Sequence, residues 1–211
     1  MAVVVVTLVA FVLGFVGSMP VAGPIAVMVV TRSSDGRFRE ALHLALGAAA
    51  AEGVWAFVAF WGFATFAARH HSVLPVSHAV TAIVLLVVGA RFVRWKPKPV
   101  VAGDVRRGRS PLGIGFLVSI LNPTLAVTWS TVTTALYSRQ LVTMTGWLAL
   151  PFGVAAAGGV AAWFAILIRV VRRYGKSFPA GVVMWTVRGM GLLLVAVGVW
   201  SGVDLVRHLL R

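Results

Sequence analysis

"GFVGSMPVAGPIAVMVV" (14–30) decides how this chain is read. It lies in a stretch, Met1 to Thr31, that carries no charged side chain. That is longer than the roughly 20 apolar residues a helix needs to cross the hydrocarbon core of a bilayer. Yet Pro20, Gly23 and Pro24 fall in its middle. Proline deletes one helical hydrogen bond and clashes with the preceding turn. In hydrocarbon no water replaces that bond, so a helix broken there needs protein or a water-lined cavity beside it.

The rest of the composition agrees with a membrane setting. Of 211 residues 60% are hydrophobic and only 11% charged, and the mean hydropathy is +0.96. A typical soluble domain has about 25% charged residues. Cysteine is absent, which excludes a disulfide framework and thiol chemistry. The net charge of +14 does not point to nucleic acid, because the Lys and Arg residues sit in short connections between apolar segments. The first charge is Arg32, after the first apolar stretch rather than before it, so that stretch reads as a retained span and not a signal peptide.

Six segments have the length and apolarity of spans: 3–31, 43–67, 73–94, 112–137, 141–168 and 181–204. Of the 19 Lys and Arg residues, 14 fall in the connections after spans 1, 3 and 5, and 4 on the other side, with Arg188 left inside span 6. The positive-inside rule then places both termini outside and the three basic connections in the cytoplasm. The longest, "WKPKPVVAGDVRRGRS" (95–110), reads as a solvated linker able to touch anionic headgroups.

The chain repeats itself. "GFVGSMPVAGPIAV" (14–27) matches "GFLVSILNPTLAV" (115–127), "AAAAEGV" (48–54) matches "VAAAGGV" (154–160), and "VLLVVGA" (84–90) matches "LLLVAVGV" (192–199). The offsets, about 99, 106 and 109, divide the chain into repeat one (about 1–95), the basic connection (about 95–111) and repeat two (about 112–211). A unit of three spans is odd, so its second copy enters the membrane from the opposite face. The expected fold is an all-α integral membrane protein of six transmembrane helices in two inverted three-helix repeats, with broken first and fourth helices.

Gly23-Pro24 and Asn122-Pro123 also read as helix starts, with Gly or Asn as N-cap and Pro at the first helical position. Two half-helices restarting near mid-membrane would present unpaired N–H groups and two positive dipole ends. Together they could cradle a carboxylate or another anion, an arrangement that points to a transporter's binding site. The alternative is a packing kink re-satisfied by neighbouring helices.

Glu52 is the one acid deep in an apolar run. A carboxyl there is costly and marks a partner, a cavity or a proton carrier. Arg188 lies at similar depth in span 6, facing the same cavity or reaching to the interface. Thr124, Thr128 and Thr131 share one face of span 4 and either line a polar path or bond their own backbone. Ala45, Ala49 and Gly53 on span 2, with Ala157 and Ala161 on span 5, permit close packing within one chain or in a homodimer. His70, His71 and His78 cluster in a connection without an accompanying Cys or acid, and read as solvated rather than as a metal site. Trp95, Trp147, Trp185 and Trp200 fall at span ends, as interfacial anchors do. No phosphate-binding loop and no catalytic constellation is present, so neither an ATP-driven pump nor an enzyme is expected, and no cofactor is implied.

At "PVAGPIAVMVV" in span 1, "DGRFREALHLALGAAAAEGVWAFVAFWGFA" (35–64), "GIGFLVSILNPTLAV" and "RGMGLLLVAVGVW" (188–200), the chain resembles the LysE/RhtB family of amino-acid exporters. The resemblance covers nearly the whole length and is strongest over 14–64 and 113–127. It implies secondary active export of amino acids or related small metabolites across the plasma membrane, driven by a proton or ion gradient, with Pro20, Gly23, Pro24, Asn122 and Pro123 as the broken-helix elements. Glu52 stands where relatives often carry an acid. Many members have Pro-Gly-Pro followed by Asp, whereas here Ala22-Gly23-Pro24 is followed by Ile25. The competing readings are a membrane-embedded accessory or lipid-handling protein, and an exporter of a metal cation.

Overall fold

The computed structural model describes residues 1–19, 24–67 and 110–174, with single residues of 83–94 and 188–203. Pro20, Gly23, the three loop histidines, Trp95, Trp185 and most of the expected spans 73–94 and 181–204 lie outside the described residues.

The described elements are helical: α1 (Ala2–Gly17), α2 (Pro24–Ser34), α3 (Phe38–Ala67), α4 (Pro111–Ile120), α5 (Pro123–Ser138), a 3-10 turn (Gly146–Leu148) and α6 (Ala149–Tyr174). Two of them are long and apolar enough to cross a membrane alone, over Phe38–Thr65 and Gly146–Tyr174. A third candidate is the pair Pro111–Ile120 and Thr124–Tyr137, bent by 63°. α1 and α2, of 16 and 11 residues, are each too short to cross a core about 30 Å thick at about 1.5 Å per residue. The first and fourth expected spans are therefore each two helices. Ser18 and Met19 follow α1 outside the helix, and Leu121 and Asn122 separate α4 from α5.

α3 begins five residues before the expected start at 43. Arg37, just ahead of it, holds Glu40 in the first turn by two hydrogen bonds of 2.9 and 2.6 Å. Arg172 in the last turn of α6 lies 5.3 Å over the Phe38 ring. Several residues counted as loop cations, among them Arg32, Arg39, Arg169, Arg172 and Arg173, thus stand on helix ends at one end of the bundle.

Two apolar clusters show how the helices run. One joins Ile25, Ala26 and Val29 of α2, Ala41 to Ala49 of α3, Ile114 of α4 and Val160 to Val171 of α6. The other joins Val6 and Ala10 of α1, Ala56, Phe60 and Ala64 of α3, Trp129 and Leu136 of α5, and Leu148 to Ala156 around the start of α6. The first half of α3 therefore meets the second half of α6, and the two run antiparallel. α1 runs parallel to α6, since Val6 and Ala10 lie in the cluster with Leu148 and Phe152, and Phe15 meets Trp163. α3 runs parallel to α4, since Leu44 and Ala48 meet Gly115 and Trp55 meets Ile120.

These parallel contacts are backbone-close. A Cβ on Gly47 would lie 2.0 Å from the Leu112 carbonyl oxygen, and one on Gly115 2.0 Å from that of Leu44. Gly14 and Gly159 do the same where α1 crosses α6, with 2.3 Å to the Ala156 oxygen and 2.1 Å to the Phe11 oxygen. Gly53 and Gly153 mark the α3–α6 crossing. Ala45, Ala49 and Gly53 are buried within the chain, so this stripe is used in internal packing.

Candidate functional site

Glu52 is the fifteenth of the thirty residues of α3, about 21 Å from either end at about 1.5 Å per residue. It is half-buried, between the two apolar clusters and beside the Gly53–Gly153 crossing. Its polar neighbour is the indole of Trp129 in α5. The contact stops short of hydrogen-bond geometry, since Trp129 Nε1 is buried with no partner in bonding position. Trp129 is held by an edge-on contact with Phe152, 5.9 Å between centroids, and Phe152 stacks in turn on Phe60 at 4.7 Å.

One turn along the same face of α3, Trp55 Nε1 donates to the Ile120 carbonyl at 3.3 Å. Ile120 is the last residue of α4, and its carbonyl is one of those freed by the break. Glu52 and Trp55 thus bring α3 against the α4–α5 break. α2 returns along α3 after a tight turn at Asp35–Gly36, which sets Pro24 about level with residue 48, one turn from Glu52.

Asn122 fulfils its expected role as N-cap. Its Oδ1 accepts from the Thr124 N–H at 3.1 Å and from Thr124 Oγ1 at 2.8 Å. Pro123 has no N–H to offer, and the Leu125 N–H donates to the Asn122 carbonyl at 3.1 Å. The first-turn donors at the start of α5 are therefore absent or occupied. Here the expectation of unpaired amides cradling an anion is corrected: the cap that lets the helix restart in lipid consumes the groups a ligand would use. At the first break Pro20 and Gly23 lie outside the described residues, and Pro24 opens α2.

The threonines behave as self-bonding residues. Thr128 Oγ1 donates to Thr124 O at 2.8 Å, Thr131 to Val127 O at 2.7 Å, Thr134 to Ser130 O at 2.7 Å, and Thr133 to Trp129 O. Thr124 and Thr128 are exposed, whereas Thr131 is buried. Arg188 is half-buried, and among the described residues its Nε has no hydrogen-bond partner. Among the described residues the ion pair formed is Arg37–Glu40, and Glu52 and Arg188 do not make one. The described residues hold no group of three His, Cys, Asp or Glu able to bind a metal.

The site thus centres on Glu52, Trp55, Trp129, Ile120 and Asn122. The sequence reading did not single out the two tryptophans. The available signal is that both lie inside spans rather than at their ends, and a buried indole N–H needs an acceptor.

The family comparison matches residues 15–204 to the LysE type translocator model. The Chemotactic transduction protein ChpE of Pseudomonas aeruginosa is 31% identical over 117 residues, a stretch covering 54% of this chain and 57% of that protein. No solved structure matches. With its apolar helices and a family match over nearly its full length, the chain is a transmembrane protein that belongs to the LysE type translocator family, a family of transporters and not of enzymes.

Proposed function

We propose that the protein is a secondary active exporter of amino acids or related small metabolites in the plasma membrane, built as two inverted three-span repeats and coupled to a proton or ion gradient. The observation that carries the reading is the place of Glu52: at the midpoint of a membrane-long helix, half-buried, and level with the break in the bent α4–α5 pair. A lone acid there costs a few kcal/mol, about 2.5–3.5 on insertion scales, and so marks a functional position.

The helix directions support the inverted repeat. α1 is parallel to α6 and α3 to α4, while α3 and α6 are antiparallel, so the two halves run in opposite senses. Each apolar cluster takes one half-helix from each broken span. The exchange that carries one cluster onto the other is the two-fold relation typical of such transporters. The basic residues on the shared end of α2, α3 and α6 favour that end, and with it the 95–110 connection, as cytoplasmic, with both termini outside.

In this reading Glu52 takes either the substrate's amino group or the coupling proton, with Trp129 setting the orientation of its carboxyl. Because α5 begins capped, the start of α2 at Gly23-Pro24 is left as the helix terminus available to a substrate carboxylate. In the same reading Thr124 and Thr128 keep acceptor lone pairs for the substrate, and Arg188 supplies a cation from the sixth expected span. A counterflow screen of amino acids in liposomes holding the full chain, with and without an imposed pH gradient, tests this. Uptake of at least one amino acid, changed by the gradient, is expected. No counterflow of any amino acid or related metabolite would overturn it.

A further inference from the structure

Arg32 and Ser33 lie in the last turn of α2, at the basic end of the bundle. Ser33 falls on the face of α2 that carries Ile25 and Val29 into the first apolar cluster, and it is 2% exposed. Its Oγ is buried with no hydrogen-bond partner. Ser18, Thr128 and Thr131 each donate to the carbonyl four residues earlier, and Ser33 does not. Arg32 is half-buried, and its Nη1 is also buried without a partner. Asp35, three residues on, is exposed and forms no ion pair with it; among the described residues the ion pair is Arg37–Glu40.

A guanidinium cannot shed its proton, so burying part of it without a counter-charge is costly. A long arginine near a membrane surface ordinarily carries its head out to water. Arg32 instead turns one amino group inward, next in sequence to a second unused donor. Two such donors, one of them charged, match an anion with two oxygens. Depth identifies the anion. Pro24 stands about level with residue 48, so Ser33 lies about 20 Å from the midpoint of α3 at about 1.5 Å per residue. That is just beyond the half-thickness of the hydrocarbon core, about 15 Å, where lipid headgroups begin. Arg39, Arg169, Arg172 and Arg173 are exposed on the same end and add to its attraction for anionic lipid.

We propose that Arg32 and Ser33 form a binding site for the phosphate of an anionic phospholipid in the leaflet at the basic end. The guanidinium donates to one non-bridging oxygen and the Ser33 hydroxyl to the other. The Arg32 side chain, flexible and part-exposed, rotates to admit the headgroup. A buried donor without an acceptor is then accounted for by a ligand rather than by the chain itself. The site lies away from Glu52 and does not depend on which solute is transported.

The test is the unfolding midpoint of the full chain in detergent, with phosphatidylglycerol, phosphatidylcholine or inorganic phosphate added. Saturating phosphatidylglycerol is expected to raise the parent's midpoint by about 5 °C more than phosphatidylcholine does. Arg32→Gln is expected to lose nearly all of that difference and Ser33→Ala about half. Arg39→Gln, which removes an exposed cation from the same end, is expected to keep it. Without anionic lipid, Arg32→Gln is expected to be at least as stable as the parent, because it removes an unpaired buried charge. Should Arg32→Gln fail to fold, the loss in Ser33→Ala decides. A parental response in Arg32→Gln and Ser33→Ala, or an equal loss in Arg39→Gln, would overturn the site. The same rise with inorganic phosphate alone would overturn the lipid as its occupant.

Discussion

Asn122 shows how a single residue makes a helix break tolerable in lipid. Its side chain occupies the Thr124 N–H and Thr124 hydroxyl, and its carbonyl takes the Leu125 N–H, so the restart of α5 leaves little unpaired. Asn122→Ala should cost about 1 kcal/mol, the usual size of a lost N-cap, read as a lower midpoint of thermal unfolding in detergent. Asn122→Ser, which caps equally well without adding a charge, should restore most of it. At this scale the sequence was partly legible. Asn-Pro announced a cap and a helix start, and Glu52 stood out as the one acid in an apolar run. That the cap would consume the amides was not legible, because it depends on which way the side chain turns. The roles of Trp55 and Trp129 were hidden for a related reason: an indole reads as apolar until its N–H is seen against a carbonyl or a carboxyl.

At the scale of elements, the helices touch through glycine. Gly47 and Gly115 leave no room for a side chain, because the atoms in the way are backbone of the facing helix and cannot rotate aside. Gly115→Leu should therefore force α3 and α4 apart and cost upwards of about 3 kcal/mol, beyond the usual range for overpacking. It should also lower the yield of folded protein on size exclusion. Gly17→Ala and Gly62→Ala meet nothing within 4 Å and should leave the yield unchanged. Periodicity revealed the Ala45–Ala49–Gly53 stripe, but it gave no sign that Gly47, on the next face, approaches a different helix more closely. Span boundaries were displaced for an electrostatic reason. Arg37, just ahead of α3, pairs with Glu40 in its first turn, so charged residues such as Arg39 and Glu40 that look like loop are helix.

For the molecule as a whole, the two apolar clusters and the directions of α1, α3, α4 and α6 carry the inverted-repeat reading. The proposed orientation rests on where the cations gather. Single cysteines placed at Arg37, on the basic end, and at Arg139, which follows α5 and lies 5.5 Å over Trp200, should label from opposite faces, Arg37→Cys from the cytoplasm. Labelling of both from one side would contradict the assignment of the ends.

The central claim is that Glu52, midway along α3, handles the substrate or the coupling ion. Amino-acid counterflow in liposomes, compared between the parent chain and Glu52→Gln at equal amounts of folded protein, tests it most directly. Loss of nearly all counterflow with an unchanged unfolding midpoint is the predicted result. Counterflow by Glu52→Gln at the parental rate, with the same response to a pH gradient, would contradict it.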